Sequence, residues 1–133
     1  MKKVKSPHPK APLEREEQTA LMAYAKLRER RYPELGLLYH IPNGGSRNAI
    51  EAAHLKRQGV KAGVPDLCLP VARGGHHGLY IELKRKGGRL SASQRAWIEN
   101  LRAQGYAAAV CYGFGEAVDM LEGYLSGKPV KTQ

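Results

Sequence analysis

Between Val64 and Lys84 the chain carries two short apolar runs, Leu67–Val71 and Leu79–Leu83, on either side of the loop Ala72-Arg73-Gly74-Gly75-His76-His77-Gly78. Runs of this length, broken by a glycine-rich turn, predict a β-hairpin. Its outer ends are charged: Asp66 stands before the first run, and Glu82 and Lys84 close the second. Side chains alternate faces along a strand, so Glu82 and Lys84 point the same way. Folding the hairpin symmetrically about its loop sets Val71 against Leu79 and Asp66 opposite Lys84. The Asp66–Lys84 pair would then be about 5 Å apart at Cβ, with Glu82 a diagonal neighbour at about 7–8 Å. All three share one face in that register. Two carboxylates at that separation can share a hard cation through oxygen, which would place a metal and an attacking water beside a phosphate. The same trio also fits a surface salt bridge across a hairpin, and a slip of one residue would scatter it.

The remaining text alternates helices with strands. An apolar stripe of Leu13, Ala20, Leu21, Tyr24 and Leu27 predicts a first helix over 13–31, ended by Pro33. Leu37–Ile41 reads as a short strand, stopped by Pro42 and the turn Asn43-Gly44-Gly45. A second helix fits 47–58, with Ser46 as N-cap and Gly59 beyond its end. Ser91-Ala92-Ser93-Gln94 is a capping box that starts a third helix, which turns Trp97, Ile98 and Leu101 inward and stops near Gly105. Tyr106–Tyr112 is continuously apolar and predicts a strand covered on both faces. A last helix fits 115–125, with Gly127 after it. The order α-β-α-β-β-α-β-α implies an α/β fold, a mixed β-sheet flanked by helices. Residues 1–12, rich in Lys and Pro, read as a flexible basic arm, 13–127 as a single domain and 128–133 as a short tail.

Charge narrows the partner. The 133 residues carry a formal net charge of +10, which favours a polyanion, either nucleic acid or an acidic membrane surface. No apolar run approaches the about 20 residues that span a bilayer. The first residues have charge but no apolar core of a secretory signal. Cys68 and Cys111 both lie inside apolar runs and read as buried thiols, not as a disulfide or a zinc motif. The expected setting is reducing: cytoplasmic, nucleoid-associated or host cytoplasm.

Asp66 followed by Glu82-x-Lys84 resembles the PD-(D/E)xK nuclease superfamily. The surrounding text is similar to its VRR-NUC branch: His40-Ile41-Pro42-Asn43-Gly44-Gly45-Ser46-Arg47, Leu55-Lys56, the stretch Gly59–Leu67, Gly78–Lys84, and Ser91-x-x-Gln94-x-x-Trp97. The likeness covers about residues 13–122. It implies a restriction-endonuclease-like core and a metal-dependent DNA endonuclease. It further implies a structure-selective enzyme of the Holliday-junction-resolving type, a homodimer on branched DNA with no membrane partner. Flap or nicked duplex is the alternative substrate, and a non-catalytic DNA-binding module with a nuclease fold is the alternative class. By the same resemblance Asp66 and Glu82 would ligate Mg²⁺ or Mn²⁺, the Leu83 carbonyl would add an oxygen, and Lys84 would orient or deprotonate the attacking water. The family's first-helix glutamate falls on Glu14, four residues before Gln18, with Glu17 as rival because it lies on the apolar stripe.

Other polar residues have two readings each. Asn43, Gly44 and Arg47 could contact DNA or could form an ordinary turn and cap. Lys56, Lys61, Arg85 and Lys86 bracket the acids, as a phosphate-tracking surface would. Gln94 is either purely a cap residue or a group that positions the water or the lysine. His76 and His77 read as solvated loop residues, and Trp97 and Tyr106 as core. With so few aromatics, single-strand binding by stacking is disfavoured.

Overall fold

The structure is a computed structural model and describes residues 12–42 and 48–130. The N-terminal arm up to Ala11, the turn Asn43-Gly44-Gly45, Ser46, Arg47 and the last three residues lie outside the described residues. Helix α1 spans Pro12–Arg28, a 3-10 helix Pro33–Leu37, β1 Tyr39–His40, α2 Ala49–Arg57, β2 Leu67–Leu69, β3 Leu79–Lys84, α3 Ala92–Ala103, β4 Ala107–Tyr112 and α4 Phe114–Leu125. The four-stranded sheet has the order β1-β2-β3-β4. β1–β2 and β2–β3 pair antiparallel, and β3–β4 pair parallel through the crossover helix α3. The expected mixed α/β architecture and element order are present.

Strand alternation sorts the side chains into two layers. One face carries Leu67, Leu69, Leu79, Ile81, Leu83, Ala107, Ala109 and Cys111, which join Leu21 and Ala25 of α1 and Ala117, Leu121, Tyr124 and Leu125 of α4 in a single core. The small alanines of β4 let α4 sit close to the sheet. α1 is also pinned to α4 by Glu122, which accepts from the Tyr24 hydroxyl and from Arg28 at 2.7 Å. Those two donors hold the Glu122 carboxyl below its ordinary range, so this pin is present at neutral pH and weakens as pH falls through the lowered value. The opposite face carries Tyr39, Cys68, Tyr80, Glu82 and Lys84. α3 covers its β4 side, with Ile98 buried and Arg102 donating to the Ala108 carbonyl.

Four local expectations change. β2 stops at Leu69 because Pro70 has no N–H for the ladder, and Val71 N–H turns back to the Leu69 carbonyl at 2.8 Å. The register therefore pairs Leu69, not Val71, with Leu79. Leu37 belongs to the 3-10 helix, leaving a two-residue β1. The N-cap of α2 is Asn48, whose side chain accepts from Ile50 N–H, and not Ser46. On α1 the inward residues are Leu21 and Ala25, while Leu27 is 79% exposed and Ala20 faces solvent. Both cysteines are free and buried, on opposite faces of the sheet, and burial pushes the Cys111 thiol up to about 12.

Candidate active site

The observed register sets Leu67 against Ile81, so one step further along the strands Asp66 meets Glu82, with Lys84 beyond them. The shift from the symmetric register is two residues, and an even shift keeps every side chain on its original face. Asp66, Glu82 and Lys84 thus remain together, in a different pairing from the one the symmetric fold predicts. Asp66 is 0% exposed and Glu82 1%. Ionisable groups removed from water need specific compensation, and the chain supplies it from three directions. Asp66 Oδ2 accepts from the Leu83 backbone N–H at 2.8 Å. Glu82 Oε1 accepts from Gln94 Nε2 at 3.0 Å. Lys84 Nζ lies 3.7 Å from the same oxygen. The Asp66 carbonyl is held from β1 by Ile41 N–H at 2.7 Å and His40 Nδ1 at 2.8 Å.

Gln94 completes the cap and also reaches Glu82, a contact that neither of its two readings named. Its Oε1 accepts from Ser91 N–H at 2.9 Å, and its own N–H donates to Ser91 Oγ at 3.1 Å, completing the capping box. With Oε1 committed to the cap, the amide can only turn its NH₂ toward Glu82. This side chain ties the start of α3 to the acid on β3. Gly63 closes the same corner. Its φ is +90°, and a Cβ there would lie 2.6 Å from the Ser93 carbonyl carbon. Only glycine lets the segment before Pro65-Asp66 lie against the first turn of α3.

Glu14 is buried, and its Oε1 accepts from Arg85 N–H at 3.2 Å, next to Lys84. Glu17 Oε1 lies beside Gly113 at the β4–α4 junction, whose N–H donates to the Lys84 carbonyl at 2.9 Å, so both glutamates flank the end of β3. Gln18 Oε1 is buried with no hydrogen-bond partner among the described residues. Among those residues no three His, Cys, Asp or Glu side chains form a group that could hold a metal. Lys56, Lys61, Arg85 and Lys86 are exposed, and Arg85 and Lys86 directly follow Lys84. Asn43, Gly44 and Arg47 lie outside the described residues. Sequence reasoning missed His40 as an anchor of Asp66. Its only signal is its place at the end of β1, one strand over from the acid.

A hairpin that ends in a buried acid pair and a lysine, on a mixed sheet between helices, defines a class: a nuclease-fold domain of DNA processing. The VRR-NUC domain family matches residues 15–115. A solved structure described as a VRR_NUC domain protein superposes with a TM-score of 0.75 at 34% identity, over 90% of this chain and 93% of that one. The chain belongs to the VRR-NUC family. Comparison with the curated proteins finds no match. Among the described residues no helix is long and apolar enough to cross a membrane.

Gln94→Glu separates the two roles of that side chain. Glutamate satisfies a capping box as well as glutamine does, so the start of α3 is expected to stay capped, and any fall in melting temperature reports the new carboxylate beside Glu82. The donor to Glu82 is lost and a second carboxylate takes its place. Two carboxylates at that distance cannot both ionise freely, so the pair keeps a proton to higher pH. Cleavage is expected to fall about 10- to 100-fold at neutral pH, the range for removing a group that orients a ligand, and its acid limb to move alkaline. A pH–rate profile that matches the parent would return Gln94 to a purely capping role.

Proposed function

We propose that this chain is a metal-dependent, structure-selective DNA endonuclease that resolves four-way junctions as a homodimer. The observation that carries the reading is the acid pair Asp66–Glu82, excluded from water on one sheet face with Lys84 alongside. One lysine against two carboxylates leaves a net negative, oxygen-lined corner. That donor set fits a hard divalent cation, because Mg²⁺ is commonly held by one or two carboxylates and completes its shell with water and substrate phosphate. Asp66, Glu82 and the Leu83 carbonyl are the residues that would hold Mg²⁺ or Mn²⁺. When bound, such an ion supplies Lewis-acid stabilisation of the phosphoryl oxygens and a more acidic water.

The chain's own groups do the rest. Gln94 and the Leu83 N–H fix the two carboxylates in place before substrate arrives. Lys84 sits where its ammonium can donate to and orient the attacking water and offset charge on the phosphate. Glu14 acts on the same end of β3 by holding the Arg85 N–H. Arg85, Lys86, Lys56 and Lys61 track flanking phosphates, which gives affinity without reading bases. Junction resolution needs two cuts related by a dyad, hence two copies of this site and an isologous dimer.

The test is cleavage of four-way junction, flap, nicked duplex, linear duplex and single strand, in Mg²⁺, in Mn²⁺ and in EDTA, with light scattering for mass. The expected result is cutting in either metal and none in EDTA, fastest on the junction, by a particle of twice the chain mass. Faster cutting of flaps by a monomer would move the substrate to flap or nicked duplex. Salt-sensitive binding with no turnover in either metal would reduce the protein to a DNA-binding module.

A further inference from the structure

The sheet face that holds the acids continues past them. Tyr39 on β1 pairs directly with Cys68 on β2, and Cys68 with Tyr80 on β3. Direct partners share a face, so Tyr39, Cys68 and Tyr80 form a row across the sheet. Tyr80 is two residues from Glu82 on one strand, and Cys68 two residues from Asp66. The row therefore borders the acid pair, one pleat repeat or about 7 Å away. Tyr39 is diagonal to Asp66, a relation that spans about 7–8 Å.

This row differs from the rest of the sheet in what covers it. The core face lies under α1 and α4, and the β4 side of the acid face lies under α3. α2 buries none of its residues. Tyr39 is left 49% exposed, although a large aromatic at a strand position ordinarily finds cover. Below it the Cys68 thiol is buried and fills the floor between the two tyrosines. Tyr80 is half-buried and braced edge-on by Tyr106, their ring centroids 5.4 Å apart. A phenol is neutral at working pH and adds no charge against a phosphate. The surface next to the acids is thus an uncharged aromatic strip inside a chain of net charge +10.

We propose that Tyr39, backed by Cys68 and Tyr80, is a stacking platform for an unstacked nucleobase adjacent to the scissile phosphate. The inference rests on the nuclease reading of Asp66, Glu82 and Lys84, and it adds what that reading lacks, a reason to prefer DNA with unstacked bases. A base inside continuous duplex has both faces occupied and cannot use the ring. A base at a branch, gap or single-stranded end can. Stacking tolerates any base because each has a π-face, so the platform selects structure and not sequence.

The experiment uses the full chain in EDTA, where binding is read without turnover. Gapped duplex carrying 2-aminopurine in the gap is compared with uninterrupted duplex of the same length, for the parent, Tyr39→Phe and Tyr39→Val. Valine keeps strand propensity and loses the ring. The expected result is about 10-fold weaker binding of gapped DNA by Tyr39→Val, within the range for one lost base–aromatic stack. Uninterrupted duplex should bind unchanged. Tyr39→Phe should match the parent, with the 2-aminopurine quenching of the parent retained in Phe and lost in Val. Equal affinities for gapped DNA, an equal loss on both DNAs, or a Phe variant as weak as Val would each overturn the platform. Cleavage by the parent in Mg²⁺ is scored separately. If it persists alongside any of those results, only the platform falls. If the parent never cuts, the nuclease reading falls, and with it any role beside a scissile phosphate.

Discussion

Asp66→Asn is expected to lower cleavage by about a thousandfold or more, the cost of losing several kcal/mol of metal-borne stabilisation in the transition state. The fold should survive it. The asparagine carbonyl can still accept from Leu83 N–H, the 2.8 Å bond that Asp66 Oδ2 now receives. The β1 contacts of Ile41 and His40 reach the backbone carbonyl of residue 66 and do not depend on its side chain. Apart from those bonds, the substitution removes one of two like charges from a corner with almost no water. The melting temperature without metal is expected to be equal to the parent's or higher. The parent should gain stability on adding Mn²⁺, because an ion that binds only the native state shifts the folding equilibrium by mass action. The variant should gain much less. Calorimetric melting with and without Mn²⁺, beside the cleavage assay, reads both effects. A variant that cuts like the parent would remove Asp66 from the site.

The same buried pair shows what the sequence could and could not carry. Spacing alone marked the two apolar runs, the glycine-rich loop and the capping box at Ser91, because each depends on a few neighbouring residues. The face shared by Glu82 and Lys84 was legible for the same reason. Register was not. It turned on Pro70, which ends β2 two residues before the apolar run ends. The acids stayed on one face only because the slip is even. α1 misled in another way. Its side chains gave a stripe that includes Leu27, but the partner surface of α4 and β3 selects Leu21 and Ala25. A stripe on one helix cannot say which of two overlapping arcs meets the sheet. Glu14 and Glu17, three positions apart, reach different groups at the end of β3, Arg85 N–H and Gly113, a distinction that spacing on α1 does not carry. The double use of Gln94 was out of reach for sequence, since it needs the start of α3 to lie against β3.

Lys84→Met should behave in the opposite sense to Asp66→Asn in every readout but one. Methionine keeps most of the stem and deletes the cation that stands 3.7 Å from Glu82 Oε1. With Glu82 only 1% exposed, removing its cationic partner strands a buried charge, which costs about 3–5 kcal/mol when nothing else helps. Gln94 still donates to the same oxygen, so the loss should lie at the low end of that range. The metal-free protein is therefore expected to melt earlier than the parent. Adding Mn²⁺ should recover most of the difference, because the corner has become more negative and the ion replaces the missing charge. Metal affinity by calorimetry should be equal or tighter. Cleavage alone should follow Asp66→Asn downward, by about 10²- to 10³-fold, the usual cost of losing one donor aimed at transition-state charge. Tighter metal with lost turnover is a combination that a merely structural lysine could not produce. Weaker metal binding with cleavage intact would show that Lys84 serves the fold of the corner and not the water.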